Sequence, residues 1–337
     1  MVTIGVIGAG RIGKVHVTSI ATRIPNAKVK TIADPYMNDE IATWAKSMGV
    51  TNAIKDYKEI LADDEIDAVL ICSSTDTHSP ISVEAIKANK HVFCEKPIDF
   101  DIEKIKSVIA ALDSSNVKYQ VGFNRRFDHN FEAVKNAVVA GNIGDPHIIR
   151  VTSRDPEPPS AEYAKVSGGM FMDMTIHDFD MVRFLAGCDA CEVYVEAAVL
   201  VDEEIGKAGD VDTAAITLRM ENGAIAVIDN SRKAVYGYDQ RAEVFGSKGM
   251  VATANDTLST LTTSTADGIV SEKPLFFFLE RYMESFAKEM QCFVESIEND
   301  TEPPLGVMDG LKPIIMGLAA KKSLEEHRPV KISEIKI

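Results

Sequence analysis

The sequence predicts an α/β protein in which a parallel sheet with helices on both faces is followed by an α+β domain with a large, mainly antiparallel sheet. Two observations predict this class. Short apolar strands alternate with helical stretches from residue 2 to about residue 121, which is typical of parallel sheets. Beyond that point, strands with alternating polarity are joined by short turns, which is typical of antiparallel sheets. We place the boundary after residue 122, giving domains 1–122 and 123–337.

The first strand leads directly into a glycine motif. Val2–Ile7 is apolar and rich in β-branched residues, and Gly8-Ala9-Gly10-Arg11-Ile12-Gly13 then opens a helix as a G-x-G-x-x-G sequence. In this context Gly8 makes a tight turn, Gly10 lets the backbone approach a pyrophosphate, and Gly13 allows close packing of helix on strand. The helix N-terminus favours an anion. A turn of the same shape without a ligand is the alternative, and the context makes it the weaker one.

An acidic residue lies at the expected distance from this motif. The second predicted strand, residues 28–33, ends at Asp34, which is 21 residues after Gly13. Such an acid accepts hydrogen bonds from the adenosine ribose of NAD. Pro35 follows it, so no adjacent arginine is available for the extra phosphate of NADP. The sequence therefore predicts a Rossmann dinucleotide-binding domain with NAD as cofactor.

Two further strand ends belong to the predicted cofactor site. Strands at residues 67–72 and 91–94 are followed by polar residues, and a helix is expected after the first of them at about residues 79–88. Ligands of parallel sheets bind beyond the carboxyl ends of the strands. The complete set of predicted cofactor-binding residues is Gly8, Gly10, Arg11, Ile12, Gly13, Asp34, Pro35, Ser73, Ser74, Thr75, His78, Glu95 and Lys96.

Hairpin signals mark the second domain. Residues 213–220 alternate in polarity and are followed by Asn222-Gly223, a strong signal for a hairpin turn. Residues 246–249 give a similar turn between two more short strands. Long helices at about 278–298 and 308–326 are expected to cover part of this sheet.

One stretch of the second domain carries titratable side chains at helical spacing. Asp173, His177 and Asp180 fall on one stripe of a helix. Three interpretations are open: a solvated helix face, a histidine base oriented by a carboxylate, and a metal site. A cofactor that accepts hydride in the preceding domain favours the base, and we predict no metal.

Lys96 supports this interpretation. It lies at a predicted strand end between Glu95 and Pro97, where a cation can polarise a hydroxyl and stabilise a developing alkoxide. The alternative is a contact with cofactor phosphate or ribose.

Composition excludes several classes of function. The net charge of −15 disfavours nucleic acid and anionic membranes as partners. The sequence shows neither a signal peptide nor an apolar run long enough for a membrane span, so the cytoplasm is expected. Cys188 and Cys191 form a C-x-x-C pair that follows a helix instead of opening one, so we interpret them as turn residues.

Three motifs together resemble the glucose-fructose oxidoreductase/inositol dehydrogenase/rhizopine catabolism family over essentially the whole chain. They are the N-terminal G-A-G-R-I-G, the E-K-P at residues 95–97 and the G-G-x-x-x-D-x-x-x-H-D at residues 168–178. The resemblance implies a cis Lys96–Pro97 bond and an open-faced second sheet that forms a homotetramer. It also implies a catalytic set of Lys96, Asp173 and His177, with His177 as the base.

Within the family the chain is most similar to the bacterial inositol 2-dehydrogenases. This likeness implies NAD-dependent oxidation of myo-inositol to 2-keto-myo-inositol. It assigns substrate contacts to Lys96, Arg125, Asp155, Asp173, His177, Asp180 and Tyr238. Some relatives carry Asn at the position of Asp155 and His at that of Ser153, which leaves the preferred isomer open. The alternatives are a dehydrogenase for scyllo-inositol or an aldose such as glucose, and a non-catalytic sensor of dinucleotide and sugar.

Overall fold

The chain is described by a computed structural model over residues 1–336, and these residues form two compact units. One contains residues 1–127 and 283–314, and the other contains residues 128–282 and 315–336. Each unit is therefore discontinuous in sequence. The predicted cut after residue 122 lies close to the first crossing between the units, but a single cut does not describe the return of residues 283–314 to the first unit.

Residues 1–127 alternate between strands and helices, as predicted. The strands are β1 (Val2–Ile7), β2 (Ala27–Ala33), β3 (Asn52–Ile54), β4 (Ala68–Ile71), β5 (His91–Glu95) and β6 (Tyr119–Gly122). The helices are α1 (Arg11–Arg23), α2 (Asp39–Ser47), α3 (Lys58–Leu61), α4 (Thr75–Lys87) and α5 (Ile102–Leu112), and a 3₁₀ turn follows at Asn124–Phe127.

The six strands form one parallel sheet in the order β3-β2-β1-β4-β5-β6. The direction of strand addition reverses between β1 and β4, and ligands of such sheets bind at the edge of this switch point. The core strands β1 and β4 are buried along their whole length. The loops after β1 and β4 therefore flank the expected crevice.

The rest of the chain supplies the second sheet and the remaining helices. The strands are β7 (Pro146–Arg154), β8 (Ala190–Ala198), β9 (Thr213–Met220), β10 (Ile225–Ser231), β11 (Asp239–Gly246), β12 (Gly249–Ala252), β13 (Thr262–Thr265), β14 (Gly268–Ser271) and β15 (Val330–Lys331). The helices are α6 (His129–Val139), α7 (Ala161–Val166), α8 (Met170–Asp173), α9 (Thr175–Ala186), α10 (Glu203–Lys207), α11 (Phe278–Arg281), α12 (Met283–Glu298) and α13 (Val307–Glu326).

Seven of these strands form a mainly antiparallel sheet in the order β12-β11-β7-β10-β9-β8-β15, in which only the β7–β10 pair is parallel. Helix α9 packs on β7 and β10. On β9, buried and exposed side chains alternate, so that one face of the sheet belongs to the core and the other is open. The predicted fold class is confirmed, as are the hairpin turns after β9 and β11.

The prediction for the helix at 278–298 is wrong in two respects. It is broken into α11 and α12, and α12 packs against α1 and β1 of the first unit instead of covering the antiparallel sheet. Its Met290, Phe293 and Val294 belong to the same hydrophobic core as Ile4 and Val6 of β1. Among residues 1–336, no helix is both long and apolar enough to cross a membrane.

Candidate active site

The turn between β1 and α1 requires glycine at two positions. Gly8 has a φ of +106°, and a Cβ there would lie 2.6 Å from the carbonyl of Cys72 after β4. A Cβ on Gly13 would lie only 2.1 Å from the carbonyl oxygen of Gly8. These two glycines therefore let the strand, the turn and the helix approach one another, as predicted from the motif.

Gly10 has a different environment. A Cβ on Gly10 would have no heavy atom within 4 Å, and its φ of −70° suits any residue. Gly10 caps the N-terminus of α1 without a side-chain hydrogen bond, and the first turn of α1 carries no acidic residue. Open space before a helix N-terminus that no carboxylate neutralises is what an anion requires. These residues fit the pyrophosphate of a dinucleotide.

Asp34 lies immediately beside this turn. Its carboxylate accepts hydrogen bonds from the backbone N–H groups of Ala9 at 2.7 Å and of Tyr36 at 2.8 Å. Pro35 is exposed next to it. A carboxylate oxygen can accept more than one hydrogen bond, so these two contacts leave capacity for ribose hydroxyls. A hydrogen bond therefore joins Asp34, the acid predicted to bind the ribose, to the turn that is predicted to bind the pyrophosphate.

The loop after β4 enters α4 earlier than predicted. Helix α4 begins at Thr75 and not near Ser79, so that Ser74 is its N-cap residue and Thr75 its first residue. Ser73 is hydrogen-bonded to Thr77, with their oxygens 2.6 Å apart. The predicted segment Ser73–Thr75 is therefore the N-terminus of a second helix at the switch point, which adds another group of helical N–H donors there.

His78 joins this loop to the segment after β5. Its Nδ1 lies 2.7 Å from the carbonyl oxygen of Pro97, and its Nε2 lies 3.0 Å from that of Ser73. Both partners can only accept, and only the imidazolium can donate from both nitrogens. Burial alone would lower the pKa of His78, but Cys94 and the two carbonyl groups outweigh it and raise the pKa to about 9. His78, predicted as a cofactor contact, is buried and ties two loops of the site together.

The E-K-P segment begins at Glu95, the last residue of β5. The Lys96–Pro97 bond is cis, as the resemblance implies, and Lys96 is half-buried. Glu95, predicted among the cofactor contacts, is buried, and one of its oxygens lies 2.6 Å from Nε2 of His16 on α1. This contact links the dinucleotide-binding helix to the strand that carries Lys96. His16 was not predicted, because nothing in the sequence relates a histidine on α1 to an acid at the end of β5.

Asp173 and His177 lie at the junction of two short helices in the second unit. Asp173 ends α8, and His177 lies in the first turn of α9. One oxygen of Asp173 accepts from the hydroxyl of Tyr163 at 3.0 Å, and the other accepts from Arg232 at 3.0 Å. Asp173 and His177 are both half-buried. The pair therefore combines a carboxylate held by two donors with an imidazole one helical turn away.

Arg232 connects Asp173 to a second predicted acid. Its other terminal nitrogen, Nη1, lies 3.3 Å from Oδ2 of Asp155, which follows β7. Burial would lower the pKa of Arg232, but the carboxylates of Asp173 and Asp155 outweigh it and raise the pKa. Neither Arg232 nor Tyr163 was predicted, since both contacts depend on how distant segments pack.

The interpretation of the α9 stripe as a solvated helix face is wrong. Asp180 of the stripe is 1% exposed, and Asp178, which lies beside His177 in the sequence, is 0% exposed. Asp178 accepts a 2.8 Å hydrogen bond from Asn230 of β10. Oδ1 of Asp180 lies 3.6 Å from Nη1 of Arg183, one turn further along the helix. The polar side chains of α9 therefore point into the protein.

The other predicted substrate contacts are also buried. Arg125 lies in the 3₁₀ turn after β6 with 4% exposure, and Tyr238 has 6% exposure. The ring of Tyr238 packs edge-to-face against Phe277 and Tyr282. Within residues 1–336, no group of three or more His, Cys, Asp or Glu side chains is arranged to hold a metal ion. The absence of a metal from the reaction stays a prediction.

The fold and this arrangement define the class of protein. Residues 2–123 match the family model described as "Oxidoreductase family, NAD-binding Rossmann fold", and residues 131–252 match the one described as "GFO/IDH/MocA C-terminal domain". The chain therefore belongs to the GFO/IDH/MocA family of oxidoreductases, and its cofactor is NAD.

Particular relatives share almost the whole length of the chain. It is 48% identical to the myo-inositol 2-dehydrogenase of Thermotoga maritima, with 98% of this chain and 99% of that protein covered. It is 42% identical to the inositol 2-dehydrogenase of Rhizobium meliloti, with the same coverage of 98% and 99%. A solved structure of scyllo-inositol dehydrogenase from Lactobacillus casei with bound NAD(H) and scyllo-inositol superposes with a TM-score of 0.92, at 33% identity and with 99% of each chain covered.

We predict that alanine has opposite effects at two glycines of the turn. Gly13→Ala should destabilise the protein by about 1–3 kcal/mol or more, because its Cβ collides with backbone. Gly10→Ala should leave the unfolding free energy nearly unchanged and weaken NAD binding at least about tenfold, because its methyl group occupies the anion site. Urea unfolding and calorimetric titration with NAD measure the two effects. Wild-type NAD affinity in Gly10→Ala would contradict the assignment of this turn.

We predict that His78 makes stability depend on pH. Its folded pKa of about 9 lies above the ordinary value of 6.5, so its contribution is fully present below pH 6.5 and is lost as the pH rises through 9. The unfolding free energy of the wild type should therefore fall by about 3 kcal/mol relative to that of His78→Gln over this interval. Urea unfolding of both proteins at a series of pH values measures the difference. A difference that does not change with pH would show that His78 is neutral in the folded state.

Proposed function

We propose that this enzyme oxidises myo-inositol to 2-keto-myo-inositol with NAD as the acceptor. The observation that carries the proposal is the 48% identity to a myo-inositol 2-dehydrogenase over 98% of this chain. The arrangement of polar side chains supports it independently. A cyclohexanehexol offers six hydroxyl groups and no charge, so its site needs donors and acceptors without an ion to compensate the substrate.

The charges of the second unit suit such a substrate. Asp155 and Asp173 share the guanidinium of Arg232, so each carboxylate is held by a donor and one of their two negative charges is compensated there. Vicinal hydroxyls can donate to carboxylates held in this way, and a buried carboxylate left without its hydroxyl costs about 1–3 kcal/mol. We propose as substrate contacts Lys96, Arg125, Asp155, Asp173, His177, Asp180 and Tyr238.

The proposed mechanism divides the work among three side chains. His177 removes the proton from the hydroxyl that is oxidised, because a neutral imidazole is a base suited to neutral pH. Asp173 orients the substrate or the imidazole, and Lys96 stabilises the negative charge that develops on the oxygen. NAD, held by the glycine turn and Asp34, supplies the hydride acceptor when it is bound. The proposal assigns no metal.

We also propose a homotetramer formed through the open face of the second sheet, in the cytoplasm. Large apolar side chains on that face support the interface, because Ile225 of β10 and Phe245 of β11 are 47% and 45% exposed. Apolar groups at exposed positions of a sheet often mark contact surfaces.

The alternatives are another substrate for the same reaction and a function of another class. The likeness to the scyllo-inositol dehydrogenase favours scyllo-inositol as an alternative substrate, and an aldose such as glucose follows as a further one. A sensor that binds dinucleotide and sugar without turnover is the alternative from another class. The presence of Lys96, Asp173 and His177 argues against the sensor, which needs no proton acceptor.

A substrate panel tests the proposal. Purified protein is mixed with NAD and with myo-inositol, scyllo-inositol, glucose or a simple secondary alcohol, and formation of NADH is followed by absorbance. We expect the highest kcat/KM with myo-inositol and very low activity with the simple alcohol. A higher kcat/KM with glucose than with every inositol would replace the proposal with a sugar dehydrogenase. No turnover of any compound would favour the sensor.

We predict a preference for NAD over NADP of roughly a hundredfold in kcat/KM, because the charge of Asp34 repels a 2′-phosphate in a partly buried site. Replacing Asp34 by Ser together with Pro35 by Arg should narrow this ratio. Because Asp34 also holds the turn through Ala9, the double variant should use NAD less well than the wild type does. Equal efficiency of the wild type with both cofactors would contradict the role of Asp34.

We predict that His177→Ala lowers kcat by about 10² to 10⁴, which is the range for loss of a general base. The affinity for NAD should be unchanged, because the glycine turn and Asp34 belong to the other unit. His129→Ala is a matched control, since this histidine of the same unit has a side chain 59% exposed. A kcat for His177→Ala within a few-fold of the control would exclude His177 as the base.

A further inference from the structure

We infer that Arg232 is a positioning residue for the reaction, which fixes Asp155 and Asp173 in the arrangement that recognises the polyol. This inference deepens the proposed function, on which its choice of substrate rests. It concerns a residue that no sequence motif indicates, and it rests on the contacts, burial and charges around the end of β10.

Each terminal nitrogen of the Arg232 guanidinium contacts one acid. Nη1 contacts Oδ2 of Asp155 at 3.3 Å and Nη2 contacts Oδ2 of Asp173 at 3.0 Å. The Nε atom is buried and has no acceptor within the part of the chain that the structure describes. The side chain is 4% exposed. Arg232 therefore acts through the carboxylates and does not present a donor to the substrate itself.

Both carboxylates come from segments that the arginine connects. Asp155 follows β7, Arg232 follows the neighbouring β10, and the backbone N–H of Asp155 donates to the carbonyl of Ser231 at 2.9 Å. Asp173 comes from a different element, the end of α8. Hydrogen bonds of the sheet thus fix the backbone at the ends of β7 and β10. Arg232 connects α8 to these strand ends through its contact with Asp173.

Helix α8 is held at both ends by charged groups near Arg232. At its start, the N–H of Met170 donates to Asp210 at 3.0 Å, and Asp210 also contributes to raising the pKa of Arg232. At its end, Asp173 accepts from Tyr163 and from Arg232. Three carboxylates therefore surround one buried cation. Without that cation, Asp155 and Asp173 would repel each other in a region of low dielectric constant and would separate.

An arginine suits this task better than a lysine. Its planar fork presents two terminal nitrogens at a fixed spacing, so that one side chain holds two carboxylates at once. An ammonium group is a single point of charge on a flexible stem. Arg232→Lys should therefore keep the compensating charge and lose the fixed geometry, whereas Arg232→Gln loses both.

Arg154 provides a matched control. It ends β7, pairs in register with Ser231, the residue before Arg232, and its guanidinium pairs with Asp229 of β10. It therefore joins the same two strands through an Arg–Asp pair, but its side chain is 30% exposed. Arg154→Gln changes the net charge by the same amount as Arg232→Gln, and the acids that the Arg154 guanidinium contacts are Asp229 and Asp239.

Steady-state kinetics with myo-inositol and NAD test the inference. We expect Arg232→Gln to raise the KM for myo-inositol about tenfold to a hundredfold, and Arg232→Lys to recover a substantial part of this loss. NAD affinity, followed by the fluorescence of Trp44, the single tryptophan of the chain, should stay within about twofold of wild type. Arg154→Gln should change neither quantity. Equal effects of the Arg232 and Arg154 variants, or an unchanged KM in Arg232→Gln, would overturn the inference.

A crystal structure of Arg232→Gln, and of Arg232→Lys if the first does not fold, supplies a measurement that needs no substrate. We expect the carboxylates of Asp155 and Asp173 to leave the positions that they share around the guanidinium. Carboxylates that stay in place would overturn the inference even if myo-inositol is the substrate. Conversely, if the wild type does not oxidise myo-inositol, the proposed function fails while displaced carboxylates still support the role of Arg232.

Discussion

The first unit depends on the close approach of Gly13 to the carbonyl of Gly8. This contact allows α1 to start directly after β1, so that the N-terminus of the helix lies at the carboxyl edge of the parallel sheet. Because all six strands run in the same direction, the loops after β2, β4 and β5 reach that same edge. Asp34 is hydrogen-bonded to the turn itself, and His16 on α1 is hydrogen-bonded to Glu95 at the end of β5. The close approach of Gly13 to Gly8 thus places the N-terminus of α1 among the loops that are predicted to bind the cofactor.

The second unit is organised by charge compensation instead of backbone proximity. Asp155 and Asp173 are both arranged around Arg232, and the remaining acids of α9 are paired elsewhere, Asp178 with Asn230 and Asp180 with Arg183. Buried carboxylates need such partners, because an isolated buried charge is strongly unfavourable. The result is a polar region in which each of these carboxylates already has a partner, and carboxylates held in this way can still accept from the hydroxyls of an uncharged substrate.

The sequence was sufficient to predict those features whose geometry depends on residues that are neighbours in the chain. The glycine turn and the hairpin at Asn222-Gly223 are local patterns whose geometry depends on a few adjacent residues, and the structure contains them as predicted. Asp34 lies beside the turn, and its contact with the ribose stays a prediction. Arg232, His16 and Tyr163 could not be found in this way, because each acts on a partner that is distant in sequence or in another element. The assignment of α12 failed for the same reason. Its apolar face, which includes Phe293, shows that it packs on something but not that the partner is β1.

The beginning of α4 illustrates a local failure. The sequence predicts a helix that begins near residue 79. The helix instead begins at Thr75 and contains Pro80. His78 in its first part contacts the carbonyls of Ser73 and Pro97, and the contact with Pro97 depends on a segment that is distant in sequence.

The central claim is that a hydride passes from a ring carbon of myo-inositol to NAD. Myo-inositol labelled with deuterium at carbon 2 tests it directly, with the NADH product isolated and analysed by mass spectrometry. We expect one deuterium in the reduced nicotinamide and 2-keto-myo-inositol as the other product. Reduced cofactor without deuterium, or no reduced cofactor at all, would contradict the account.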